Sequence, residues 1–207
     1  MGSDSTVAAL KQTSPERVTV ILSSGEEIKS TLNVVTELRL YAGRELDGEA
    51  LRHLREASAL ALTKGRALEL LSRRAMSEKE LYDKLLQKGE DAHNAAACVR
   101  WLVDNRFLDD ESYASAVARH YAAKGYGEGR IRSELRRRGL ARELWDDALE
   151  KRPDNQEKID KYIAARLHDP EDRDQVRKVS AALFRRGFGW EEIREALQRF
   201  HAEAEEE

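Results

Sequence analysis

The sequence contains one cysteine, Cys98, among its 207 residues, so an internal disulfide is excluded. With no second cysteine and no His pair near it, a zinc site is excluded too, and a reducing compartment is expected. Long apolar runs are also missing. No stretch approaches the roughly 18 apolar residues that a membrane span needs, and residues 1–10 lack a basic segment followed by an apolar one. The expectation is a cytoplasmic protein with no membrane partner. Aromatic residues make up 6% of the chain and there are three prolines, a poor supply for an all-β sandwich.

What the sequence has in abundance is charge, at 36% of residues, set against 41% apolar residues at helical spacing. The net charge of −3 conceals a strong alternation. Residues 1–60 carry −2, 61–88 carry +3, 89–118 carry −4, 119–142 carry +6 and 143–207 carry −6. A basic block inside an acidic chain can attract phosphate or an acidic partner face, although a solvated helix face explains any single charge run equally well.

Residues 1–16 are small, polar and aperiodic, and read as a disordered lead-in. Residues 17–43 open with Val18, Val20 and Leu22 alternating with polar positions, then Ser24-Gly25 at a turn, then Ile28 and Leu32. This predicts a short β-hairpin, followed by a short helix capped by Asn33 and ended by Gly43. From Asp47 a helical stripe runs through Leu51, Leu54, Ala61, Ala67, Leu68 and Leu71, with Gly65 marking a break between two helices.

An internal repeat then emerges from three ungapped segments: ELYDKLLQKG (80–89), RIRSELRRRG (130–139) and KVSAALFRRG (178–187). Leu81, Ile131 and Val179 coincide, as do Leu85, Leu135 and Leu183, and then Gly89, Gly139 and Gly187, spaced 50 and 48 residues apart. An i, i+4 apolar pair followed by a glycine able to take the left-handed conformation describes an amphipathic helix with a defined stop. Ser77 with Glu80 forms a capping box at the start of the first such helix. Adding a preceding helix to each pair gives three-helix units, at 44–108, 109–152 and 153–202, with an acidic tail at 203–207. The expected fold is all-α, with tandem three-helix repeats stacked into an elongated curved array and a short N-terminal β-hairpin.

Three stretches together, ALELLSRRAMSEKELYDKLLQKG, then NRFLDDESYA at 105–114, then KGYGEGRIRSELRRRGL at 124–140, resemble the RecX family over about residues 44–200. Arg106 stands where that family often has a glycine. The resemblance implies a non-enzymatic regulator, chiefly an inhibitor, of the RecA recombinase, acting in DNA repair and the SOS response. It would bind the RecA–DNA filament as a monomer and restrain ATP hydrolysis, strand exchange and co-protease activity. A sequence-independent DNA-binding module acting through the same basic helix is the competing reading.

Candidate contact residues centre on Arg130, Arg132, Arg136, Arg137 and Arg138, which surround the apolar pair Ile131 and Leu135 with only Glu134 to offset them. Several of these arginines should fan outward beside the buried stripe, suited to bidentate contacts with phosphates or carboxylates. Lys84, Lys88, Lys124, Arg185 and Arg186 complete the set. Lys88, Arg138 and Arg186 each precede the repeat glycine, a position where a cation complements the helix dipole, so part of this recurrence has a structural origin. The GYGEG run (125–129) lacks the Gly-Lys-Ser/Thr ending of a nucleotide loop and reads as a flexible turn. Asp109, Asp110 and Glu111 read as the cap and first turn of a helix, and five scattered histidines offer no ligand spacing. No catalytic residues, metal or cofactor are expected, and Trp101, Trp145 and Trp190 are expected chiefly in packing.

Overall fold

The structure, a computed structural model, describes residues 5–206; residues 1–4 and 207 fall outside it. Two compact units are present, one of residues 5–75 with Leu81–Leu108, the other of Met76–Glu80 with residues 109–206. In all, the described residues form ten α-helices and four strands.

The first unit begins with an antiparallel sheet of β1 (Ser5–Gln12), β2 (Arg17–Leu22), β3 (Glu27–Thr31) and β4 (Glu45–Leu46), ordered β3-β2-β1-β4. The hairpin expected at residues 17–32 forms one side of it, with β3 at the edge, turning at Gly25 with φ +85°. The disordered lead-in is corrected: β1 pairs with β2 from Val7↔Leu22 to Gln12↔Val18, with a bulge between Val7 and Ala9. A lone hairpin is marginal in water, and a third strand that places Val7 in the core supplies the missing face. Of the predicted lead-in, residues 1–4 lie outside the described residues.

Helix α1 (Leu32–Glu37) is capped by Thr31, whose side chain accepts from the Val34 amide, rather than by Asn33. It also stops before Gly43, with Arg39 turning the chain at φ +49° and the Arg44 guanidinium donating to the carbonyls of Leu38 and Arg39. Helix α2 (Gly48–Arg73) opens on Asp47, whose carboxylate accepts from Ala50 N at 2.7 Å. It is one unbroken helix of 26 residues, so the break expected at Gly65 does not occur. An exposed glycine costs a helix only about 1 kcal/mol, and burial of Thr63 and Ala67 on either side outweighs it. Leu51 and Leu54 join Val20, Leu22 and Leu46 in the sheet's core. Further along, Leu81 and Leu85 of α3 (Glu78–Gln87) and Ala95, Cys98 and Leu102 of α4 (Ala92–Asp104) are fully buried.

The second unit holds α5 (Asp110–Ala123), α6 (Glu128–Arg137), a 3-10 turn at Arg142–Leu144, α7 (Trp145–Glu150), α8 (Gln156–Ala164), α9 (Arg173–Arg185) and α10 (Trp190–Glu206). Ala118, Ile131, Leu135 and Trp145 centre one core; Ile163, Leu167, Leu183 and Ile193 centre the next. The helix α10 runs on to Glu206, so the expected acidic tail is largely its last turns rather than a separate segment.

Within this unit a joint recurs. The turn that ends α9 seats against the start of α6: Gly127 N donates to Arg186 O at 3.0 Å and Gly129 N to Gly187 O at 2.8 Å. The amides left unpaired at one helix's start thereby meet the carbonyls left unpaired at another's end. Approach is close enough that a Cβ on Gly127 would lie 2.4 Å from Gly187 C, and one on Gly187 would lie 2.2 Å from Arg130 N. The GYGEG run is therefore a packing surface rather than a flexible turn. The turn ending α6 repeats the arrangement, with the Ser77 hydroxyl donating to Arg138 O and Gly139 packed on the Lys79 side chain. The predicted capping box is formed here, Ser77 N donating to Glu80 Oε2 and Glu80 N to Ser77 Oγ.

Candidate functional site

The helix α6 amphipathicity buries Ile131 and Leu135 completely and leaves its arginines around the rim. They do not all fan outward. Arg138 turns into the joint, donating to the Tyr113 hydroxyl at 2.7 Å and lying over that ring. Its counterpart one repeat later, Arg186, does the same, reaching Gly125 O at 3.4 Å and stacking over Tyr162 at 4.8 Å. At Arg138 and Arg186 the cation before the repeat glycine thus serves helix-end chemistry and joint packing.

Glu134 is not the only carboxylate that offsets the arginines. Arg132 binds Glu128 at 2.8 Å and Asp146 at 2.9 Å, and Arg152 also reaches Glu128 at 3.2 Å. Glu134 itself is 4% exposed and holds Arg137 at 2.6 Å and Arg130 at 3.0 Å. Burial pushes the Glu134 carboxyl up, but hydrogen bonds from Arg137 and Tyr121 and the charges of Arg137 and Arg130 prevail, leaving it below its ordinary value. The same bonding from Arg132, aided by Arg152, overcomes burial at Glu128 and holds it low.

Arg136 lies exposed, its guanidinium 5.6 Å from the Trp145 ring centroid. Lys124 and Arg185 are exposed, and among the described residues no carboxylate stands within ion-pair distance of either. Of the predicted contact residues in the second unit, Arg130, Arg136, Arg137, Lys124 and Arg185 are thus the exposed ones. In the first unit Lys84 and Lys88 are exposed at the end of α3, Lys84 donating to Gln87 Oε1 at 3.3 Å.

The acidic run behaves as its sequence suggests, Asp109 capping α5 through the Ser112 amide at 2.8 Å. Asp110 does something further, accepting from the Glu78 amide at 2.9 Å across the joint. Burial raises the Asp110 carboxyl, and so do the neighbouring charges of Asp109 and Glu80; burial and Asp110 raise Glu78. Among the described residues no group of three or more His, Cys, Asp or Glu could hold a metal ion, and no helix is long and apolar enough to cross a membrane. Trp145 is buried and Trp101 stacks on Phe107 under Lys64, whereas Trp190 stays 55% exposed, a placement that sequence patterning did not signal.

Family models match the chain in three consecutive places: the first three-helix domain of RecX at residues 64–102, the second at 109–149 and the third at 163–197. A protein named regulatory protein RecX from Vibrio cholerae serotype O1 (strain M66-2) is 37% identical over 142 residues, covering 67% of this chain and 93% of its own. A second of that name, from Xanthomonas axonopodis pv. citri (strain 306), is 42% identical over 136 residues, covering 64% and 84%. A crystal structure of regulatory protein RecX superposes with a TM-score of 0.72 at 23% identity, covering 94% of this chain and 99% of that one, a likeness of fold.

Proposed function

The chain belongs to the RecX family, and on that premise we propose that it regulates a RecA-type recombinase by binding the recombinase–DNA filament. It acts mainly as an inhibitor of ATP hydrolysis, strand exchange and co-protease activity, as a cytoplasmic monomer in DNA repair and the SOS response. The observation that carries this reading is the match to all three RecX domains, in order, on one chain. It is a binding protein rather than an enzyme, and its contacts are the solvent-facing cations Arg130, Arg136, Arg137, Lys124, Arg185, Lys84 and Lys88. Arg185 meets acidic partner surface and the others reach acidic partner surface and DNA phosphate, while Arg132, Arg138 and Arg186 hold the scaffold that presents them.

The test is DNA-dependent ATP hydrolysis and strand exchange by the cognate recombinase, with salt-dependent DNA binding measured in parallel. Inhibition well below the dissociation constant for DNA alone is expected. Inhibition only at concentrations that coat the DNA would favour a sequence-independent DNA binder, whose affinity falls steeply with salt by counterion release. Arg136→Glu with Lys124→Glu, both exposed and without an ion-pair partner among the described residues, should weaken filament binding and leave the fold intact; unchanged binding removes these residues from the interface.

A further inference from the structure

Phe184 and Trp190 are large aromatic residues left 50% and 55% exposed, their rings stacked at 4.8 Å between centroids and 19° between planes. Phe184 also lines a groove of about 720 Å³, together with Gly129, Gly187 and Gly189. The joint glycines are what let the groove exist, since α6 and the end of α9 meet there by backbone with no side chain to fill the space. Exposed apolar surface of this kind beside a concave site marks an interaction surface.

The rim decides the occupant. Arg132 is committed to Glu128 and Asp146, and Arg130 to Glu134, while Glu192 accepts from the Gly189 amide at 2.7 Å. Arg185 has no ion-pair partner among the described residues. The groove therefore offers the apolar ring of Phe184 beside glycine backbone free of side chains, one uncommitted guanidinium, and the carboxylates of Glu128 and Glu192. A nucleic-acid strand would bring phosphates against both carboxylates. A polypeptide can instead bring one apolar side chain and one carboxylate.

Resting on the functional reading above, we propose that this groove is an anchor site for the protein subunits of the filament, taking a large apolar side chain whose neighbour is an Asp or Glu. The side chain lies against Phe184 and over the glycines, Trp190 backs Phe184, and the neighbouring carboxylate meets Arg185.

The experiment titrates the full chain against recombinase filaments on single-stranded DNA, and separately against that DNA alone. Phe184→Ala with Trp190→Ala should lower filament affinity by about tenfold or more, as central aromatic anchors do. Arg185→Glu should lower it by a smaller factor, and neither should change affinity for DNA alone. Both changes are at exposed positions, and an unaltered helical circular dichroism spectrum verifies the fold. Full filament affinity in both variants overturns the groove while leaving the functional reading standing. An equal loss toward DNA alone overturns it in favour of a nucleic-acid platform. A wild-type chain that ignores the filament overturns the functional reading and the groove together.

Discussion

Replacing Gly187 by alanine should be among the most damaging single-methyl changes in this protein, and the joint explains why. Its φ is +91°, a conformation that costs an L-residue about 1–2 kcal/mol. Added to this, its Cβ would lie 2.2 Å from Arg130 N and 2.8 Å from Arg130 Cβ, so backbone must move. Overpacking of that kind costs about 1–3 kcal/mol, giving an expected loss of about 2–5 kcal/mol. Gly89 provides an internal control: its φ is +85°, yet nothing lies within 4 Å of its would-be Cβ, so only the conformational cost of about 1–2 kcal/mol applies. Gly129→Ala is a second control, because its contact to Gly187 O is 3.3 Å, a mild crowding set against a helical gain of about 1 kcal/mol. Urea unfolding followed by circular dichroism gives the three losses. Hydrogen exchange locates them, since the Gly129 amide bonded to Gly187 O should lose protection selectively in the Gly187 variant. Equal losses for Gly187→Ala and Gly89→Ala would refute the steric account, leaving backbone conformation as the whole effect.

Arg106 is exposed at φ +60°, so Arg106→Gly should raise stability by up to about 1 kcal/mol, relief of left-handed strain exceeding glycine's added unfolded-state entropy; thermal unfolding reads it. Glu78 has its carboxyl raised by burial and by Asp110, so its ionised form strains the joint above the folded value and the strain fades as pH falls toward 4.5. Glu78→Gln should therefore increase stability at neutral pH and flatten the pH dependence just above 4.5, as measured by urea midpoints across pH. Glu134 has the opposite sign: its lowered carboxyl stabilises above 4.5 and that contribution is lost as pH falls through the folded value. Glu134→Gln should cost about 1–3 kcal/mol at neutral pH by weakening its hold on Arg137 and Arg130, and an unchanged unfolding midpoint would contradict this. The Cys98 thiol, pushed up to about 11 by burial despite Lys64, should resist alkylation in the native state and react only as fast as its surroundings open.

Much of this fold could be read from the sequence because its signals are local. The i, i+4 pairs Ile131–Leu135 and Val179–Leu183, their glycine stops and the Ser77–Glu80 box all concern residues within one helix or its ends. β1 is not legible in the sequence because STVAALKQ gives weak alternation and gains its order from β2, a partner found only in three dimensions. The same holds for the site. Counting arginines in α6 located the charge, but Asp146 for Arg132 and Tyr113 for Arg138 come from elsewhere in the chain, and they decide which guanidiniums reach solvent. The role of the GYGEG run is hidden from the sequence for a like reason: the turn that demands its glycines lies about sixty residues away.

The joints of the second unit also have a direction. Each union reads donor to acceptor, a helix start taking the carbonyls of a later helix's end, so the series has a direction like that of a chain of couplings with unlike ends. Helix α9 terminates it: it begins at Arg173, three residues ahead of Val176, which aligns with Glu128 of α6, and Asp172 already caps its first amides. A fourth unit added after it would find no seat. One inserted between the second and third could inherit a Gly127-like start and a Gly187-like stop, which makes that the position where this architecture can lengthen.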